Sequence, residues 1–135
     1  RATMASMLRY PGIAQYIGRH NRFRMFQKVD PGEVDYGLEF FNQFACVLMQ
    51  GGLSRKAVAT GYHLLMRFLV PSANSEIGRM EPARHEQFIK GRLAGLDRKQ
   101  YRGALYVARE FAQLDSQQTF EAGLSMLVDG IAQLK

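Results

Sequence analysis

The 135-residue chain has a single cysteine, four prolines and no apolar run near the roughly 20 residues that a membrane-spanning helix needs. One cysteine, Cys46, excludes an intramolecular disulfide, and with no membrane span in view the expected setting is cytoplasmic. Four prolines and 22% charged residues against 47% hydrophobic ones exclude a disordered composition. No stretch alternates apolar and polar residues long enough for a strand, and neither an internal repeat nor a low-complexity tract is visible. What remains is an all-α chain read as one domain over residues 1–135, long enough for a core without metal or disulfide staples.

Catalytic chemistry is missing in the same way. His20, His63 and His85 lie far apart, no His or Cys stands at metal-ligand spacing, and there is no phosphate-binding glycine loop, nucleophile elbow or paired-carboxylate motif. The expectation is a protein that is not an enzyme and holds neither metal nor cofactor. Cys46 lies in the apolar run Phe44–Met49 and reads as a small buried hydrophobe. The net charge of +6 permits an acidic partner without locating one. Arg19, Arg22, Arg24 and Lys28, interleaved with Phe23 and Phe26, form either a nucleic-acid patch or, more commonly for such runs, a solvated loop.

Helix punctuation is what the chain does have. Residues 2–10 form a first helix stopped by Pro11, and 12–20 a second. At Asp30-Pro31-Gly32-Glu33 an N-cap aspartate, a first-turn proline and a capping-box glutamate coincide, predicting a helix to Gln50 closed by Gly51-Gly52. Ser54 caps the next helix, which Pro71 should kink or end, leaving Ser72–Arg79 as the most mobile connection. Pro82 opens a helix closed by Gly95, Asp97 caps another, and Asp115 or Ser116 caps the last.

Two of these helices carry more than a core stripe. In the segment from Val34 to Gln50, Leu38, Phe41, Ala45 and Leu48 make one face and Phe40, Phe44 and Val47 an adjacent one, so the helix is central to the core or lines an internal cavity. Met4, Met7, Tyr16, Phe23, Met25, Phe26, Tyr62 and Met66 supply adaptable apolar walls, with Gln43, His20, His63 and Arg67 as polar groups for such a cavity. The last helix bears Phe120, Leu124, Leu127, Val128, Ile131 and Leu134 as its stripe, with Gly123 and Gly130 two turns apart. Each interior glycine costs roughly 1 kcal/mol relative to alanine, which predicts close approach by another backbone there.

Phe44–Ser54, the long helix toward Pro71, and Phe120-Glu121-Ala122-Gly123-Leu124 followed by Asp129-Gly130-Ile131 together resemble the C-terminal regulatory domain of the tetracycline-repressor family of bacterial transcription factors. The resemblance spans about residues 33–134. It implies an antiparallel bundle of about six to seven helices, dimerising through a four-helix bundle made of the long helix and the terminal one. It implies a homodimer whose interface includes Leu65, Leu69, Phe120, Gly123, Leu127, Gly130 and Ile131, and an apolar or aromatic small-molecule effector held by Tyr16, His20, Phe40, Phe44, Tyr62, His63 and Met66. DNA would be bound only through an N-terminal helix-turn-helix head that this chain does not contain. The His-x-x-Thr-Arg-Pro segment of the tetracycline-binding members is missing near Arg22 to Asp30, which makes tetracycline with magnesium an unsuitable inducer. The competing reading is a helical protein- or lipid-interaction module with no small-molecule pocket.

Overall fold

A computed structural model describes residues 1–20, 28–79 and 81–134, with His20 described by its backbone alone. Arg22, Phe23, Arg24, Met25 and Phe26, and with them the expected break after the second helix, lie outside the described residues. The described residues form seven helices and no strand, in agreement with the all-α reading: α1 (Ala2–Arg9), α2 (Pro11–His20), α3 (Tyr36–Gln50), α4 (Arg55–Ile77), α5 (Pro82–Leu93), α6 (Arg102–Ala112) and α7 (Ser116–Ala132). None of these helices is long and apolar enough to cross a membrane. The chain divides into two compact units, one of residues 1–77 with 122–135 and one of residues 78–121.

In the first unit α4 is the element on which α1, α2 and α3 all pack. Its buried residues Ala57, Tyr62, Leu65, Met66, Leu69, Val70 and Ala73 recur at helical spacing, and Met66 and Val70 are the largest side chains closed off from solvent. Met4 and Met7 of α1 and Ala14 and Ile17 of α2 complete this core. Tyr10 ends α1 in a non-helical conformation because Pro11 crowds the residue before it, and the same proline begins α2, where its missing N–H removes nothing.

The start of α3 differs from the expectation. Asp30-Pro31-Gly32-Glu33 folds as a turn, in which the Glu33 amide donates to the Asp30 carbonyl at 3.0 Å and Gly32 takes φ +91°. Proline followed by a glycine with positive φ is the preference of a type II turn, and that turn outcompetes the capping box. The cap is instead Asp35, whose Oδ1 accepts from the Leu38 amide at 2.9 Å. The far end of α3 falls at Gln50, with Gly52 at φ +76°, and Ser54 caps α4 by accepting from the Ala57 amide at 3.3 Å.

Pro71 neither ends α4 nor leaves a loop behind it, since the helix continues to Ile77. A mid-helix proline costs about 3 kcal/mol, so something must hold the following turns in place. Val70 and Ala73 are buried on either side of it, the Ser72 hydroxyl donates to the Phe68 carbonyl at 2.7 Å, and Asn74 Nδ2 donates to the Ala14 carbonyl of α2 at 3.1 Å. Tertiary packing overrides the local signal. Gly18 makes room for that clasp, because a Cβ there would stand 2.7 Å from Asn74 Nδ2.

In the second unit α5 and α6 pack as a helical pair. Pro82 is in the first turn of α5, and Gly95 takes φ +80° beyond its end. Asp97 caps a turn rather than the helix proper: its Oδ1 accepts from the amides of Lys99 and Gln100 at 2.9 and 2.8 Å, and α6 begins at Arg102. Asp115 is the cap of α7, accepting from the Gln118 amide at 2.8 Å.

Glu86 ties the pair together. Its Oε1 accepts from Gln113 Nε2 at 3.2 Å and lies 2.7 Å from Lys90 Nζ. These hydrogen bonds, Lys90 first and then Gln113, hold its carboxyl below the ordinary glutamate value. A lowered carboxylate pKa contributes stability above the unfolded-state value and loses it as pH falls through the folded-state one. An NMR titration should place the Glu86 midpoint below the ordinary value, and Lys90→Ala should raise it. A midpoint unmoved by that substitution would show that Lys90 is not the cause.

Candidate functional site

Two places in the first unit bring expected site residues together, and α4 supplies a wall to each. The first is an aromatic cluster between α3 and α4. Phe44 comes edge-on to Tyr62 with ring centroids 5.6 Å apart, Phe41 does so at 4.8 Å, and Phe40 and Phe44 lie 5.7 Å apart in a tilted pair. Edge-to-face rings at such separations add about 0.5–1.5 kcal/mol each beyond the area they bury. Burial pushes the Tyr62 hydroxyl above its ordinary value, so it remains a protonated donor through neutral pH. Met66, one turn further along α4, is closed off from solvent.

Of the residues expected at an effector site, Phe40, Phe44 and Tyr62 are therefore together, with Met66 on the same helix face as Tyr62. Tyr16 projects from α2 with 47% exposure, His63 is exposed on α4, and the side chain of His20 lies outside what is described. Phe41, expected only as a helix-face residue, makes the closer ring contact with Tyr62.

Of the two roles expected for α3, central to the core or lining an internal cavity, the first does not hold. None of its residues is fully buried, and Leu38, Val47 and Met49 are 51%, 67% and 61% exposed. Its aromatic side, with Ala45 and Leu48, is partly covered, while Leu38, Val47 and Met49 are presented outward. Cys46 is likewise exposed, not buried, with its thiol 3.9 Å from Asn42 Oδ1 on the preceding turn.

The second place is an open groove between α4 and α7, lined by Leu64, Arg67, Phe68, Gly123, Met126 and Leu127, with a volume of about 450 Å³. Gly123 shapes its floor: a Cβ there would meet Cε2 and Cζ of the Phe68 ring at 3.0 Å. The glycine thus accommodates an aromatic ring from a neighbouring helix within the same chain, not a bare backbone. At Gly130 a Cβ would meet nothing within 4 Å. Met126 is 75% exposed and Leu64 38%, so the groove opens onto an apolar rim.

Of the residues expected at a dimer interface, Gly123 and Leu127 line this groove and Gly130 is exposed two turns from Gly123 on the same helix. Leu65, Leu69 and Ile131 are buried inside the protomer, and Phe120 is buried at the other end of α7. Leu64, Phe68 and Met126 were missed by pattern alone, because spacing locates a helix face but not the boundary between its covered and open parts. Among the described residues, no three of His, Cys, Asp and Glu come together as metal ligands. No protein-family model, curated protein or solved structure matches the chain.

Proposed function

We propose that this chain is the effector-sensing and dimerisation domain of a bacterial transcriptional regulator of tetracycline-repressor type, with the α4–α7 groove as its homodimer interface. The observation that carries the reading is the groove itself, an open apolar surface formed by the long helix and the terminal helix. Leu64 and Met126, exposed on its rim, are side chains that a helix of a second copy would cover. The aromatic cluster supports the other half of the proposal. Tyr62 and Met66 occupy one side of α4 while Leu64 and Phe68 occupy another, so one rigid helix touches both places. An apolar or aromatic effector that favours one placement of α4 shifts the dimer geometry, and with it the spacing of DNA-binding heads in the intact regulator.

The test is oligomeric state. Light scattering at tens of micromolar should give twice 15.3 kDa. Leu64→Glu with Met126→Glu should give a monomer of unchanged helicity, since both side chains are exposed in the protomer. Gly130→Ala discriminates further. In a lone protomer it removes an interior glycine from an uncrowded helix surface and stabilises by about 1 kcal/mol, whereas a helix crossing at that point turns the same change into lost dimer. A wild-type monomer, or dimers indifferent to all three substitutions, would remove the interface assignment.

The alternative, a protein- or lipid-interaction module without a small-molecule pocket, is favoured by the outward apolar surface of α3 at Leu38, Val47 and Met49. A thermal-shift screen with apolar and aromatic compounds separates the two. An effector at 100 times its Kd stabilises by about 2.7 kcal/mol, and a screen with no hits selects the interaction module.

A further inference from the structure

The second unit carries a surface that neither the dimer nor the effector reading uses. Five cations, Arg92, Arg98, Lys99, Arg102 and Arg109, stand against the carboxylates of Asp97 and Glu110 in residues 91–110, giving that stretch a formal +3, half of the chain's +6. All five cations are exposed, as is Glu110 one turn beyond Tyr106. The Asp97 carboxylate is engaged by two amides of its own turn, and among the described residues Arg98, Lys99, Arg102 and Arg109 make no ion pair.

The charge is also ordered. Arg102, Tyr106 and Arg109 fall at i, i+4 and i+7 on α6, which a 3.6-residue helix places on one face with rises of about 6 Å and 4.5 Å between them. Tyr106 is 85% exposed, the most of any large apolar or aromatic side chain described, and its place on the helix is between those of the two arginines. The half-buried residues Leu105 and Ala108 and the buried Ala112 lie to one side of this face, where α5 packs.

We infer that this face of α6, with the basic turn before it, is a docking surface for single-stranded nucleic acid. Cations following a backbone, with an aromatic ring set among them, is how sequence-tolerant strand binding is built: charge holds the phosphodiesters and the ring stacks a base. An acidic peptide would use the cations and leave the ring idle. A duplex keeps its bases stacked on one another and cannot offer one to Tyr106. A lipid surface needs apolar side chains on the same face as the charge, whereas Val107 and Phe111 lie on the opposite side of α6. The inference stands on the α5–α6 pair alone and is independent of whether the α4–α7 groove closes a dimer.

Fluorescence anisotropy of the full chain with a labelled oligothymidine, across a salt series, tests it. Affinity should fall with salt, and Arg102→Ala with Arg109→Ala should flatten the log–log slope by about 1.4, two cations at roughly 0.7 each. Tyr106→Ala should weaken binding roughly 5- to 100-fold without changing the slope, and Tyr106→Phe should restore it, because stacking needs the ring and not the hydroxyl. Lys56→Ala, removing an exposed cation from α4, should leave binding unchanged. All these side chains are exposed, so circular dichroism should show equal helicity throughout. The proposal fails if no salt-dependent binding occurs or if Tyr106→Ala binds like wild type. It fails equally if Lys56→Ala loses as much as Arg102→Ala, or if duplex DNA or anionic phosphatidylserine vesicles are preferred to the single strand.

Discussion

Met66→Ala should destabilise the domain by about 2–5 kcal/mol, the largest loss expected from any single substitution considered. The side chain is fully closed off from solvent on α4, the helix against which α1, α2 and α3 pack, so no neighbour is free to collapse into the space it leaves. Truncation there removes the transfer free energy of the thioether chain and adds a cavity term. Against a total stability of about 5–15 kcal/mol, that is a substantial fraction. Denaturant unfolding should show a lower midpoint at nearly unchanged slope. The control is Met126→Ala: with 75% of that side chain already in water, the protomer should lose well under 1 kcal/mol. Equal losses at the two methionines would mean that α4 is not the centre of the core.

Gly61→Val should cost about 1–3 kcal/mol through overpacking. A Cβ at this position would stand 3.0 Å from Cγ2 of Ile131 and 3.5 Å from Cδ1 of Leu48, so side chains from α7 and α3 close on α4 from two sides. Valine adds two further carbons with a single preferred χ1 in a helix, and no neighbour can move without opening the contact of another. Gly61→Ala asks less, since the Ile131 methyl must give by only a few tenths of an ångström while the helix gains about 1 kcal/mol of propensity. The ordering alanine above valine in thermal stability is the diagnostic result. A valine variant as stable as wild type would show that α7 does not sit against α4 at this turn.

The contrast among glycines shows where sequence reasoning reached and where it stopped. Two glycines seven residues apart on α7 pointed to close packing, and that is what Gly123 does, with a phenylalanine ring as the neighbour. Gly130 carries the same signal in sequence and has no neighbour in the protomer. Helical period tells which residues share a face. It does not tell which element, or which copy of the chain, occupies it. Gly61, the buried one of the three, carries no such signal in sequence, because its neighbours are side chains of α3 and α7 that are distant along the chain.

Helix existence was legible and helix ends were legible where one signal acted alone, as at Ser54, Pro82, Gly95 and Asp115. Where two signals competed, the local pattern misled. At Asp30 a capping box and a proline–glycine turn made opposite demands on the same four residues, and the turn won because Asp35 offered a second cap five residues later. At Pro71 ring sterics predict a kink or an end, and the end is overridden by burial of Val70 and Ala73 and by the Asn74 clasp. The apolar richness of α3 fits either a central core helix or a cavity wall, because hydrophobic composition reports what a helix can bury and not how much of it a partner covers. Of the aromatic cluster, Phe40, Phe44 and Tyr62 were legible as a group, while the edge-on contact of Phe41 required knowing how α3 rotates against α4.

The passage of α4 through Pro71 has one more consequence. A proline nitrogen carries no hydrogen, so the main-chain oxygen one turn earlier, that of Arg67, loses the donor that an uninterrupted α-helix would give it. Arg67 is a wall residue of the α4–α7 groove. The missing donor falls within the stretch of α4 that lines the groove, and its place in the helix is set by Pro71 and not by any side-chain rotamer.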